Sequence, residues 1–272
     1  MTSHDVINVL RKQLGERRIG HAGTLDPDAT GVLLVGIGYV TRLLIFLSGL
    51  DKTYTGQIVL GTATSTLDSS GEITSTHDMS GVTLEGVRRI IAERFVGEIK
   101  QVPPMVSALK VGGKRLHELA RQGIEVERAE RSLTIYNFQA LEMPEAGIVN
   151  IEVRCSSGTY IRSLADDVGR ALGGSAHLRN LRRTAVGTYS QDQASSLDAV
   201  EVLAPLTAVR SMSRVVVDDA TKVLIKNGRD LDQWPTPSPW VLVDEQNSLL
   251  AVYVATPDGR AKPSVVMANA VA

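Results

Sequence analysis

The chain has 272 residues, 43% of them hydrophobic and 22% charged, with a net charge of −1. That composition can bury one large core or two smaller ones, and it excludes general disorder. The near-neutral balance gives no global sign of a nucleic-acid binder, although a basic face can be offset by acids elsewhere. The chain opens on "TSHDVINVLRKQL", a helix that Ser3 or Thr2 can cap, with Val6, Val9 and Leu10 on one apolar stripe. Charges interrupt this segment too early for a signal peptide. Glycine-rich turns follow, then "GHAGTLDPDATGVLL" and the apolar run "LLVGIG", read as a buried strand. "VTRLLIFLSGL" predicts a short helix ending near Gly49, and "KTYTGQIVLGTAT" predicts a strand. "STLDSSGEI" is a polar connection, and "TLEGVRRIIAERFVG" is an amphipathic helix with Thr83 as cap and Gly97 as stop.

The Pro-Pro and Gly-Gly pairs make residues 103–123 a basic loop, with a short helix over Lys114 to Gln122. "RSLTIYNFQALEM" and "GIVNIEVRCSSG" read as two strands joined by a turn. "TYIRSLADDVGRALG" reads as a helix capped by Thr159, and "AHLRNLRRTAVGTYS" as a strand. The order of elements predicts an α+β fold, a mixed or antiparallel central sheet flanked by helices. Near residue 210 the texture changes to short strands separated by turns: "SRVVVDDATKVLIKNGRDL", "PWVLVDEQNSLLAVYVA" and "SVVMANAV". The expected division is residues 1–212 and a small β-rich module over 213–272. No segment reaches the ~18 apolar residues of a membrane span, and no metal-ligand spacing of histidine and cysteine occurs. The single cysteine, Cys155, excludes an intrachain disulfide and reads as a buried core thiol in a reducing, cytoplasmic setting.

Asp26 admits two readings. Asp followed by Pro is a good helix N-cap with proline at the first helical position, and local rules favour that role. Gly20, Gly23 and Gly31 around it would let a backbone or ligand approach closely, and a loop held between regular elements suits a catalytic residue. Arg162 falls in the first turn of a predicted helix, where the helix dipole favours acids. That penalty predicts a carboxylate partner elsewhere, and an Arg–Asp pair would hold the carboxylate charged. Tyr54 alone reads as a core tyrosine of a strand. Arg170, Arg179, Arg182 and Arg183 form one acid-poor cluster, and Lys110, Lys114, Arg115 and Arg121 form a second with only Glu118 among them. Each could be an ordinary solvated face. Together they point to a phosphate-bearing partner.

Four stretches in order, "GHAGTLDPDATGVLLVGIG", "KTYTGQIVLGTATSTLDSSG", "QVPPMVSALKVGGKRLHELARQG" and "CSSGTYIRSLADDVGRALGGSAHLRNLRRTAVG", closely resemble the TruB family of tRNA pseudouridine synthases. The tail from about Ser213 resembles, more weakly, the PUA-like RNA-binding module of that family. The resemblance implies isomerisation of a uridine in the T loop of tRNA, position 55, to pseudouridine. It implies Asp26 as the catalytic carboxylate, Tyr54 as the active-site tyrosine, and Arg162 as the arginine that pairs with Asp26. It places His21, Gly23, Leu25, Asp68 and Leu181 against the substrate. The basic residues Lys110, Lys114, Arg115, Arg121, Arg179, Arg182 and Arg183 are the expected RNA contacts, with the 103–123 loop closing on the T arm. The target base must be flipped from its stack. No redox change occurs, so neither cofactor nor metal is expected, and the chain is expected to act as a monomer with no membrane.

The competing class is a noncatalytic tRNA-binding or RNA-folding protein; intact Asp26, Tyr54 and Arg162 favour the enzyme. A glycosidase is disfavoured because it uses two carboxylates and a water, and a phosphate-transfer enzyme because no P-loop is present. Family members normally begin with a strand ending in "DKPxGMTSHDVV", whereas this sequence starts at "MTSHDVI". The expectation is a sheet lacking that strand and a less stable protein. "STLDSSG" also lacks a second acid common in the family, which weakens the expectation for Asp68.

Overall fold

The computed structural model describes residues 1–267 except 108, 112, 117, 118, 120, 121 and 125. The chain forms two compact units, one of Leu25–Val32 and Gly49–Ala194, the other of Met1–Thr24, Leu33–Ser48 and Ser195–Ala272. Both are α+β. Among the described residues no helix is long and apolar enough to cross a membrane.

The first unit is built on a seven-stranded sheet. Its strands run in the order Tyr189–Ser190, Ala176–Val186, Lys52–Leu60, Ile148–Cys155, Arg131–Glu145, Gly97–Gln101, all antiparallel. The two-residue strand Thr30–Gly31 adds in parallel to Ala176–Val186. Strand periodicity sends Val149, Ile151, Val153 and Cys155 to one face, and all four are buried. In Arg131–Glu145 the buried set changes parity, from Leu133 and Ile135 to Phe138 and Ala140. A register shift between Ile135 and Asn137 causes it, because one extra residue reverses the alternation.

Two helices cover that face. Leu84–Arg94, capped by the Thr83 hydroxyl, contributes Val87 and Ile91, and Ile161–Ala171 contributes Ile161, Leu164, Ala165 and Val168 to the same core. Each such buried valine, leucine or isoleucine side chain stabilises the fold by about 1.5–3 kcal/mol. Gly169 permits the helix to press on the sheet, since a Cβ there would lie 2.5 Å from the Ala176 nitrogen. Thr159 does not cap the second helix as expected: its hydroxyl donates to the Ser156 carbonyl, and Tyr160 is the N-cap, without a side-chain bond. In the basic loop, Lys114–Arg115 pair with Lys110–Val111 as a short hairpin, so these two residues are extended where a helix was expected, and much of the rest of that expected helix lies outside the described residues.

The second unit begins with helix Ser3–Leu14. Thr2 and Asp5 close a capping box on it, and Gly15 ends it in the left-handed conformation, φ 64°. Its Ile7 and Leu10 bury against Ile19, with Leu197 and Val200 packed alongside. Ile19–His21 pairs with Val35–Ile37. A five-stranded sheet runs in the order Ser213–Val216, Trp240–Val243, Leu249–Ala255, Arg260–Val266, Leu231–Asp232. Trp240 and Tyr253 are buried in its core, with polar tips bonded to the Thr236 and Arg229 carbonyls at 2.7 and 2.9 Å. The stretch read as strands after Val216 instead contains helix Asp219–Lys226. Its Asp218 cap, acidic first turn and Gly228 stop outweigh the β-branched residues before it.

Candidate active site

Asp26 is not a helix cap. The Ala29 N–H donates to the Asp26 carbonyl at 3.0 Å, closing a turn with Pro27 and Asp28 at its corner. The chain then extends into Thr30–Gly31 and joins the sheet, where Gly31 adopts φ 101°. Extended pairing at residue 30 leaves no room for a helix, and proline at the second position suits a turn as well as a helix start. The Asp26 side chain is thereby presented from a tight turn anchored by a strand, and it is 38% exposed.

Arg162 meets it. Its Nε donates to Asp26 Oδ2 and its Nη2 to Asp26 Oδ1, both at 2.9 Å, a two-point fork that fixes the plane of the carboxylate. The guanidinium is 4% exposed. Two further donors go to the Thr66 and Val106 carbonyls, each at 2.9 Å. An arginine in the first turn of a helix is thus held by the Asp26 carboxylate and two carbonyls, with a second carboxylate, Asp68, alongside, which compensates both its burial and the unfavourable helix dipole.

Gln101 anchors the start of that helix. Its amide accepts from the Tyr160 N–H at 2.8 Å and donates to the Tyr160 carbonyl at 3.1 Å. This replaces the missing side-chain cap two residues before Arg162.

Asp68 lies 3.5 Å from Arg162 Nε through Oδ2. Its Oδ1 accepts from the Thr66 hydroxyl at 2.6 Å and from the Ser70 hydroxyl and N–H at 2.5 and 3.1 Å. The preceding Leu67 adopts φ 63°, a left-handed conformation uncommon for leucine. It is held by Leu178, whose N–H donates to the Leu67 carbonyl at 3.0 Å. Strain of this kind persists where surrounding contacts over-determine the backbone.

Tyr54 stands opposite Val153 on one neighbour strand and Arg183 on the other, on the face that the helices cover. A bulge between Arg179 and Arg182 sets this register. Asn180 in it adopts φ 53°, and the extra residue places Arg183 rather than Arg182 beside Tyr54. Burial pushes the Tyr54 hydroxyl above the usual phenol range, and Arg183 opposes that shift by charge and by a hydrogen bond. Lys52, one step along the same face, is pushed down to about 8 by burial and by Arg183. Its ammonium donates to the Leu50 carbonyl at 2.6 Å and the Ser157 hydroxyl at 3.0 Å. Burial pushes the neighbouring Cys155 thiol up to about 11, so it is an inert core group.

The structure therefore brings together Asp26, Arg162 and Asp68, and sets Tyr54 in the same unit. Leu25 is half-buried beside Asp26 in the chain, and Leu181 packs at the edge of the core. His21, at the end of its strand, and Gly23, at φ 102°, belong to the other unit.

Among the basic residues, Arg182 is exposed and bonds the Gln191 and Thr30 side chains, and half-buried Arg179 bonds Gln57. Arg183 corrects the expectation of a surface RNA contact, since it is 1% exposed with Nε on the Val32 carbonyl. Arg121 and the side chains of Lys110, Lys114 and Arg115 lie outside what the structure describes. Sequence reasoning missed Gln101 and the Thr66 and Val106 carbonyls. The "QVPP" stretch was the one available signal for Gln101, and carbonyl contacts leave no signal in side-chain identity.

Residues 11–161 match the model of the TruB family pseudouridylate synthase N-terminal domain. Residues 162–216 match that of the tRNA pseudouridylate synthase B C-terminal domain. tRNA pseudouridine synthase B of Halalkalibacterium halodurans is 40% identical over 287 aligned residues, spanning 99% of this chain and 94% of its own. The protein of the same name from an Arthrobacter species is 47% identical over 234 residues, 82% of this chain and 76% of its own. A crystal structure of a Cbf5–Nop10–Gar1 complex contains a chain with a TM-score of 0.72 and 26% identity, covering 94% of this chain and 75% of that one. A chain in an H/ACA ribonucleoprotein bound to a substrate RNA containing 2′-deoxyuridine shares the fold, with a TM-score of 0.71 and 23% identity over 97% of this chain and 80% of that one. With its ordered motifs, its fork-held aspartate and near full-length relatives, the chain belongs to the TruB family of pseudouridine synthases.

Proposed function

We propose that the protein is an isomerase that converts a uridine of tRNA, at position 55 in the T loop, to pseudouridine. The observation that carries this reading is the Asp26 carboxylate held at both oxygens by buried Arg162. The reaction breaks the N-glycosidic bond, turns the uracil and bonds C5 to the same sugar carbon. It needs one carboxylate at the sugar, either attacking C1′ or assisting elimination through a glycal, and a site that excludes water, because hydrolysis would release the base. Arg162 supplies orientation and a compensating charge for that carboxylate, and every guanidinium donor it uses is already committed before substrate arrives. Such preorganisation lowers the cost of reaching the transition state.

His21, Gly23, Leu25, Asp68 and Leu181 contact the flipped nucleotide, and Tyr54 stacks on the uracil and takes the C5 proton. Arg179 and Arg182, with Lys110, Lys114, Arg115 and Arg121 of the basic loop, meet the RNA backbone, and residues 213–272 act as a PUA-like RNA-binding module beside a catalytic region of 1–212. The protein works as a monomer on the T arm, in the cytoplasm. Reaction by rearrangement moves no electrons to an acceptor, so the chemistry calls for no cofactor.

The test is to incubate an unmodified tRNA transcript with the protein and map pseudouridine by chemical modification and primer extension. A single new pseudouridine at position 55 is expected. Modification at another site would overturn the positional assignment. Tight RNA binding with no pseudouridine would support a binding-only protein.

A further inference from the structure

Among the described side chains of the expected RNA-contact set, Arg183 is the one buried in the sheet. It reaches in two directions. Nε donates to the Val32 carbonyl at 2.8 Å, and the Arg183 carbonyl accepts from the Val32 N–H, also at 2.8 Å. Arg183 also stands directly across the strand pair from Tyr54, where its charge acts on the Tyr54 hydroxyl. The adjoining backbones are pressed together: a Cβ on Gly31 would lie 2.1 Å from the Arg183 carbonyl oxygen. Gly31 and Val32 follow directly on the turn that carries Asp26. One buried cation thus ties the Asp26-bearing segment to the Tyr54 strand.

We propose that Arg183 is a positioning residue for the isomerisation, holding the Tyr54 oxygen in a fixed place relative to the Asp26 turn and supporting that oxygen as a proton acceptor. This rests on the isomerase reading. Once C5 has bonded to C1′, it still carries its own hydrogen. Loss of that proton to the Tyr54 oxygen, acting as phenolate, returns the bonding pair to the C5–C6 double bond and moves the C6–N1 π pair onto N1, which takes up a proton; one proton is lost at C5 and one gained at N1, so pseudouridine forms as an isomer of uridine. A guanidinium facing the tyrosine across the strand pair stabilises negative charge on that oxygen, against the burial that disfavours it. Asp26 and Cys155 also act on this hydroxyl and disfavour its ionisation, whereas Arg183 acts the other way.

A double-mutant cycle tests the proposal. Single-turnover release of tritium from C5-labelled uridine in a T-arm RNA is measured for the wild type, Arg183→Met, Tyr54→Phe and the double variant, with RNA affinity measured alongside. Arg183→Met is expected to slow release about 10- to 100-fold when Tyr54 is intact and by less than about threefold when it is combined with Tyr54→Phe, with RNA affinity unchanged. Arg183→Lys, which keeps the charge and loses the fork, is expected to recover part of the rate, and it takes the place of the Met variant in the cycle if that protein does not fold. Equal fold-losses with and without Tyr54→Phe would overturn the proposal, because they would mean that Arg183 acts independently of Tyr54. So would a loss confined to RNA affinity. No release by the wild type would count against the isomerase reading itself and remove the proposal with it.

Discussion

Two arginine–carboxylate pairs in this molecule show how burial changes what the same chemistry is worth. In the C-terminal sheet, Arg260 pairs with Asp232, whose side chain is 91% exposed. In the larger unit, Arg162 grips Asp26 and is itself 4% exposed. Water and salt screen the first pair, and either partner can leave it at little cost. The second cannot dissociate without leaving a cation buried in the protein. Its guanidinium also donates to two carbonyls of different loops. The surface pair links two neighbouring strands at the edge of a sheet, whereas the buried one gathers the Asp26 turn, the Thr66 and Val106 carbonyls and the helix of Arg162, segments far apart in sequence.

The comparison breaks most sharply at Arg162. Arg162→Ala should lower single-turnover tritium release by at least about 100-fold while RNA affinity stays within about threefold. It should also lower the urea midpoint, since the Thr66 and Val106 carbonyls lose their donor. An equal fall in RNA affinity would show that the residue serves the RNA contact or the fold rather than Asp26. Gly31→Ala tests the strand that carries the Asp26 turn. Its φ of 101° and a contact of 2.1 Å to backbone leave no space for a methyl group. A destabilisation of about 2–4 kcal/mol in urea denaturation is expected, and unchanged stability would mean that the strand is not held as described.

Asp167 sharpens the contrast from the other side, as a carboxylate shifted by burial alone. Burial pushes it up to about 6 from 3.8. The folded protein therefore keeps this proton to a higher pH than the unfolded chain. Its contribution weakens folding as pH rises from 3.8 to about 6 and stays at that penalty above. Asp167→Asn should raise Tm by a few degrees at pH 7, with the gain shrinking toward pH 4. A gain that is the same at both pH values would contradict the assignment. The smallest effect belongs to the exposed pair: Asp232→Asn should leave tritium release unchanged and move Tm by less than about 2 °C.

Much of the site was legible because its logic is local. Arg162 could be flagged from the sequence as an arginine placed against a helix dipole, and its partner is the aspartate the motif order implied. Asp26 itself was misread at the level of backbone: Asp-Pro opens turns and helices alike, and only the parallel pairing of Thr30–Gly31 with a strand about 150 residues later decides between them. Arg183 looked like a member of a surface cluster because a bulge cannot be counted from the sequence. One inserted residue at Asn180 turns alternation around and sends that arginine inward. The helix Asp219–Lys226 was hidden by the β-branched run before it, although its cap and stop residues were present. Long-range pairing and register, not side-chain chemistry, account for what sequence reasoning missed.

The central claim is that the fork-held Asp26 carboxylate is the reagent of the isomerisation. Tritium release from C5-labelled uridine in a T-arm RNA measures it most directly, comparing the wild type with Asp26→Asn. The account predicts release by the wild type and a loss of at least about 10³-fold in the variant, with the RNA still bound. Release by both proteins at similar rates would contradict it.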